Sequence, residues 1–260
     1  MDNNLITTFE SLLNKVDRDE MDKLLTFIKK SDFYTAPAST RFHSCHKGGL
    51  LEHTMNVYNC LLSKKKNPIW AEKLAEIPDE SLIISALLHD LCKTYFYGSE
   101  LKNQKTYDEE KVNAANPRMV KNDSNGKFIW ETVPKYVVDD KIPYGHGEKS
   151  VMMIEEYIRL TPSERYAIRW HMGWSEPKEN YNALGAAFGK YPLVLALHEA
   201  DQEATWKQSF PDLRFGQLCM NFFGWLQSKK GKDPFFPEES DMIEYFREFA
   251  NETSLWCREN

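Results

Sequence analysis

The run SLIISALLHDLC, residues 81–92, constrains this chain more than any other segment. Read as a helix, it is apolar on nearly every side, which implies burial in the middle of a bundle. It then meets His89-Asp90, a pair that a core solvates poorly. An ionised Asp at such a place is costly unless it is paired, hydrogen-bonded or metal-bound. Lys93 follows Asp90 by three residues, so the two side chains can share a helix face. The rest of the chain has to supply helices to cover this run and polar groups to satisfy its end.

The helices are legible from their spacing. Apolar residues recur at helical intervals over 5–16 (Leu5, Phe9, Leu12, Leu13, Val16) and over 20–30 (Met21, Leu24, Leu25, Ile28). Residues 31–40 form a polar break containing Pro37. Gly48 and Gly49 precede a strong helix whose apolar face runs Leu50, Leu51, Met55, Val57, Tyr58, Leu61 and Leu62. Pro68 permits a turn before a short helix, Trp70–Ile77. Helices resume over 148–160. Thr161-Pro162-Ser163-Glu164 has the form of an N-cap, a first-turn proline and a capping-box glutamate opening a helix over 162–171. Another helix is expected over about 191–208, and a loop at 228–238 lies between apolar helices. Residues 97–144 differ: β-branched and aromatic residues gather around Pro134, and Asn122–Gly126 carries a turn signal. An irregular insert with a short hairpin is expected there. No internal repeat or flexible Gly/Ser linker divides the chain. The expectation is a single all-α domain over 1–260: helices in 1–40, a core of about 42–206, the insert 97–144 and a helical extension 207–260.

Composition sets the class. The 260 residues are 42% hydrophobic, with 33 Lys plus Arg against 39 Asp plus Glu, a net charge of −6. That balance excludes a strongly basic nucleic-acid binder as a whole-chain reading. No stretch of ~18 apolar residues predicts a membrane span. The start, MDNNLITTFE, has neither the basic nor the apolar region of a signal peptide. The five cysteines, Cys45, Cys60, Cys92, Cys219 and Cys257, are odd in number and share no CxxC spacing. They read as core or half-buried residues of a cytoplasmic protein.

Chemistry concentrates in the histidines, of which there are seven. Five stand beside acidic residues or glycines, on helices or at their ends: His53 in LLEHT, His89 in LLHDLCK, His146 in GHGEKS, His171 in WHMG and His198 in LHEAD. Asp90 and Asp201 complete the set. Imidazole and carboxylate together suit Fe, Mn, Zn, Ni or Co at a hydrolytic site. Gly145 and Gly147 bracket His146 at a helix start, where backbone N–H groups can face an anion. A lone histidine beside a core helix is ordinarily a packing residue, so the signal lies in the combination. Tyr144, Trp170 and Trp174 flank motif histidines and offer faces on which a nucleobase could stack, against the plainer reading as packing. Arg118, Lys121, Lys149 and Arg169 are candidate phosphate contacts, against the plainer reading as solvated charges. His43 and His46 lie before the glycine pair, placed either to approach a substrate or to cap a turn.

These motifs resemble the HD-domain superfamily of metal-dependent phosphohydrolases over about Phe42–Asp201. GGLLEHT resembles the first-histidine helix, LLHDLCK the signature dyad with its trailing lysine, Gly145-His146 and WHMG the middle histidines, and HEAD the terminal aspartate. The block from Gly48 to His53 is most similar to the HD domain of bacterial 3′–5′ exoribonucleases and their stand-alone relatives. It departs from them in having His43-Ser44 where a histidine pair is usual, and His171-Met172-Gly173 where His-His-Gly is usual. The N-terminal nucleic-acid-binding barrel has no counterpart in the helical-looking residues before the block. The resemblance implies a helical bundle with two divalent metal ions at its centre. His53, His89, Asp90 and Asp201 would hold one, and Asp90, His146 and His171 the other. It implies phosphate-ester cleavage by a metal-activated hydroxide, with Asp90 bridging the ions and Lys93 stabilising phosphoryl oxygens. A small phosphate ester or nucleotide is the expected substrate, ahead of a nucleic acid. Two alternatives stand beside this: a non-catalytic metal- and nucleotide-binding regulatory module, and a di-iron HD oxygenase.

Overall fold

The computed structural model describes residues 3–40, 44–209, 222–231, 241, 244–246 and 248–249. In chain order the helices are α1 (Asn3–Leu13), α2 (Met21–Lys30), α3 (Gly49–Lys65), α4 (Pro68–Leu74), α5 (Asp79–Leu88), α6 (Glu109–Ala114), α7 (His146–Glu155), α8 (Pro162–Arg169), α9 (Tyr181–Lys190) and α10 (Pro192–Ser209). Between α5 and α7 lie the strands β1 (Tyr97–Thr106), β2 (Lys121–Asp123) and β3 (Gly126–Val138). No helix among the described residues is long and apolar enough to cross a membrane.

The all-round apolarity of α5 has a direct cause. Every residue from Ser81 to Leu88 is buried, because α5 runs between two apolar clusters. Ile83, Ile84, Leu87 and Leu88 join Phe9, Leu24, Leu50, Ile154 and Ile168 on one side. Leu82 and Ala86 join Leu61, Ala167, Leu184 and Leu197 on the other. Burying each large side chain here contributes about 1.5–3 kcal/mol relative to exposure. The helix ends sooner than the 81–92 run suggests. Asp90 leaves helical geometry at φ −103, ψ 20, and a 3-10 turn follows over Leu91–Lys93. His89 and Asp90 therefore sit where the buried helix unwinds, inside the molecule.

The all-α expectation is corrected. The protein is predominantly helical, but 97–144 holds a three-stranded antiparallel sheet of order β1-β3-β2 rather than an irregular segment with a short hairpin. Tyr97 pairs with Val138 at its base and Thr106 with Ile129 at its far end. The sequence YGSELKNQKT lacks an apolar alternation because most of β1 is exposed. Its strand state comes from pairing with β3. Helices α6 and α9 were likewise not foreseen. In α9 the sequence YNALGAAFGK carries two glycines of poor helix propensity, yet Leu184 and Ala187 bury against the second cluster. The loop expected at 228–238 lies mostly outside the described residues, as does most of the extension from 210 onward.

Candidate metal centre

Five separate segments bring polar side chains together at the unwound end of α5. His53 comes from the second turn of α3, His89-Asp90-Lys93 from α5 and its 3-10 turn, His146 from the first position of α7, His171 from just beyond α8, and Asp201 from the middle of α10. The approach of α7 to α8 is set by Gly147, where a Cβ would collide with the Arg169 carbonyl oxygen. It leaves the His146 and His171 ring centroids 5.1 Å apart.

Asp90 is the centre of the arrangement, and its oxygens face different neighbours. Oδ2 lies 2.7 Å from Lys93 Nζ, 3.4 Å from His89 Nε2 and 3.6 Å from His53 Nε2. Oδ1 lies 2.9 Å from His146 Nε2 and 3.6 Å from His171 Nε2. Asp201 Oδ1 is 2.9 Å from His53 Nε2 and 3.8 Å from His89 Nε2. Among the described residues, three sets have ligand atoms all within 4.8 Å of one another: His53, His89 and Asp90; His89, His171 and Asp201; and Asp90, His146 and His171.

The donor set fits a divalent cation. His89 Nδ1–H donates to the Ala86 carbonyl at 2.8 Å and His171 Nδ1–H to the Ile168 carbonyl at 2.7 Å. Those bonds fix both rings with Nε2 turned into the cluster, the arrangement ligating histidines usually adopt. His89 Nε2 is buried and makes no hydrogen bond. An orphaned nitrogen aimed at two carboxylates is costly without a cation to meet it.

The electrostatics agree. Burial opposes charge on Asp90, but Lys93, His89, His146 and His171 outweigh it and hold its carboxyl well below the usual range. Burial likewise opposes charge on Asp201, whose carboxyl is held low chiefly by His53 and His89. Burial would lower His146, but the Cys92 sulfur and the Asp90 carboxylate push it up to about 10. His89 is raised, with Asp90 and Asp201 outweighing burial, whereas burial lowers His171. Burial would also lower Lys93, but Asp90 raises it. A field that raises His146 and His89 despite their burial is one that would favour a metal cation.

The other candidates lie elsewhere or are already engaged. Lys149 is buried, ion-paired with Asp140 and 5.0 Å from the Phe96 ring centroid. Arg169 pairs with Glu148 and Glu176 and stacks 3.8 Å from the Trp170 ring centroid. Neither charge is free for a phosphate. Arg118 and Lys121 are exposed on the insert. His46 Nε2 is 3.2 Å from a Glu52 carboxylate oxygen, away from the cluster, and His43 lies outside the described residues. Tyr144 and Trp174 are exposed. Trp174 meets Tyr181 and Phe188 edge-on at 5.2 and 5.8 Å. Tyr144 lines a surface groove with Glu148, Tyr166 and Arg169.

Cys92 is a buried core residue, as its sequence suggests, but sequence reasoning missed that its Sγ lies 3.2 Å from His146 Nδ1. Its place two residues after Asp90 was the available signal. It also gave no role to His198, although His198 precedes Asp201 by one helical turn. No protein-family model, curated protein or solved structure matches the chain.

Proposed function

We propose that this protein is a metal-dependent phosphohydrolase that cleaves the phosphate ester of a nucleotide or related small molecule. The observation that supports this most is the divided environment of Asp90, with Oδ2 toward His53, His89 and Lys93 and Oδ1 toward His146 and His171. His53, His89, Asp90 and Asp201 would hold one divalent ion and Asp90, His146 and His171 a second, drawn from Fe, Mn, Zn, Ni or Co. Bound there, such ions supply an activated water and offset charge on a phosphate ester.

The chain's own residues orient and enclose that chemistry. His53, His89 and His171 are buried and exclude bulk water. The His146 and Asp201 side chains are 30% and 17% exposed, which marks the side from which an ester reaches the centre. Lys93, paired with Asp90 Oδ2 at 2.7 Å, would stabilise the non-bridging oxygens of an ester held there.

The test is metal analysis of the purified protein together with turnover. The wild type, supplied with Mn²⁺, is assayed on p-nitrophenyl phosphate, bis-p-nitrophenyl phosphate and a panel of nucleotides. Hydrolysis is expected, and His89→Ala and Asp90→Ala should lose both metal and activity. Full metal content in both variants would refute the metal centre. Fully metallated protein without turnover would point to a nucleotide-binding regulatory module, and oxygen consumption to an oxygenase.

A further inference from the structure

His198 is buried on α10, three residues before Asp201, yet its ring does not face the carboxylates. Its Nδ1 lies 2.7 Å from the backbone carbonyl oxygen of His171. A carbonyl only accepts, so Nδ1 carries the hydrogen. In the neutral ring Nε2 is then an acceptor, and Gln202 Nε2 donates to it at 3.2 Å. Gln202 thus selects the tautomer that can hold His171. The rest of the ring is fixed by packing. Phe188 stacks on it at 5.8 Å between centroids. Gly173, at φ +56, leaves room for it: a Cβ at that position would run into the imidazole. The turn His171-Met172-Gly173 is therefore shaped around His198.

We infer that His198 is a positioning residue for the metal ion held by His171, acting through the His171 backbone rather than as a ligand; this rests on the metal reading above. His171 stands just past the end of α8, where no helical bond from the following turn restrains its carbonyl. Its ring is fixed at Nδ1 by Ile168 and its backbone by His198. Helix α10 then supplies one donor directly, Asp201, and fixes a second through this clamp. Both donors move with the same helix, so their separation is preserved. The small residue at 173 has its explanation here as well.

The experiment titrates Co²⁺ alone into the metal-free full chain, following visible absorption and bound metal after desalting. His198→Phe keeps an aromatic ring and removes the donor. His198→Asn puts an amide N–H close to the place of Nδ1–H. Gln202→Leu is an exposed change that releases the tautomer. His171→Ala identifies which binding step belongs to His171. His198→Phe is expected to weaken that step alone, by about 10–100-fold, as loss of supporting hydrogen bonds around ligands does. His198→Asn should recover most of it, Gln202→Leu should weaken the same step, and combining His198→Phe with His171→Ala should add nothing. Wild-type affinity at both steps in His198→Phe, or in Gln202→Leu where the former does not fold, overturns the inference. So does equal weakening of both steps, or failure of His198→Asn to recover. A wild type that takes up no cobalt is a distinct result: it removes the metal centre itself, and the inference with it.

Discussion

A histidine binds a metal ion through a nitrogen that has shed its proton. His146 is pushed up to about 10 by Cys92 and Asp90 despite its burial, which favours the imidazolium form at neutral pH. Metal binding at pH 7 is therefore expected to release about one proton per ion bound by His146. Calorimetric titration in buffers of differing ionisation enthalpy reads this directly, and a heat that does not change with buffer would contradict it. The sign also fixes the pH trend: affinity falls as pH falls, because protons compete for the same Nε2 atoms. At this scale the sequence was informative for a physical reason. Asp90 ends an apolar run, and burying a carboxylate demands partners; which residues supply them, His53, His89, His146, His171 and Asp201, came from the resemblance of their motifs to the HD-domain superfamily. Lys149 and Arg169 were read as phosphate contacts because a charge is visible in sequence and its partner is not. Asp140, Glu148 and Glu176 come to them only through folding.

Among the elements, the start of α8 was the most legible. Thr161 accepts from the Glu164 N–H at 3.3 Å, and the Glu164 carboxylate accepts from the Thr161 N–H at 2.8 Å. What the local pattern does not reveal is that the same fully buried carboxylate also accepts from Arg18 at 2.9 Å and from Ser81 Oγ at 2.6 Å. One side chain thus joins the α1–α2 connection, α5 and α8. Thr161→Ala should cost about 1 kcal/mol, the loss of a cap. Glu164→Ala should cost more, about 2–3 kcal/mol, because it leaves the buried Ser81 hydroxyl without its acceptor and takes from Arg18 one of two carboxylates, Glu80 remaining at 2.7 Å. Denaturant unfolding separates the two, and equal costs would show that Glu164 acts only as a cap. The strands were illegible for the opposite reason. Residues 97–106 state no preference of their own and acquire one from β3, a contact between segments some thirty residues apart.

On the scale of the whole molecule, the insert is expected to be separable from the core. Neither large apolar cluster contains a residue between 97 and 144. The chain enters and leaves the insert side by side, with Tyr97 opposite Val138 and the Asp139 N–H donating to the Phe96 carbonyl at 2.9 Å. Replacing residues 100–135 by Asn-Gly would join the facing pair Ser99 and Tyr136 with a two-residue turn. The shortened protein is expected to keep its helical circular dichroism and its metal content, and to melt within a few degrees of the wild type. Collapse of the helical signal would show that the sheet is part of the folding unit.

The placement of Asp90 has a consequence for how the centre fills. One carboxylate carries one unit of charge, and both sides of the cluster draw on it. If two ions bind as proposed, occupancy on the Oδ1 side and on the Oδ2 side would be thermodynamically linked: whatever the first cation did to the affinity of the second, the second would do equally to the first. Loading would then be a stepwise equilibrium with a half-filled state of its own, whose population would follow metal supply.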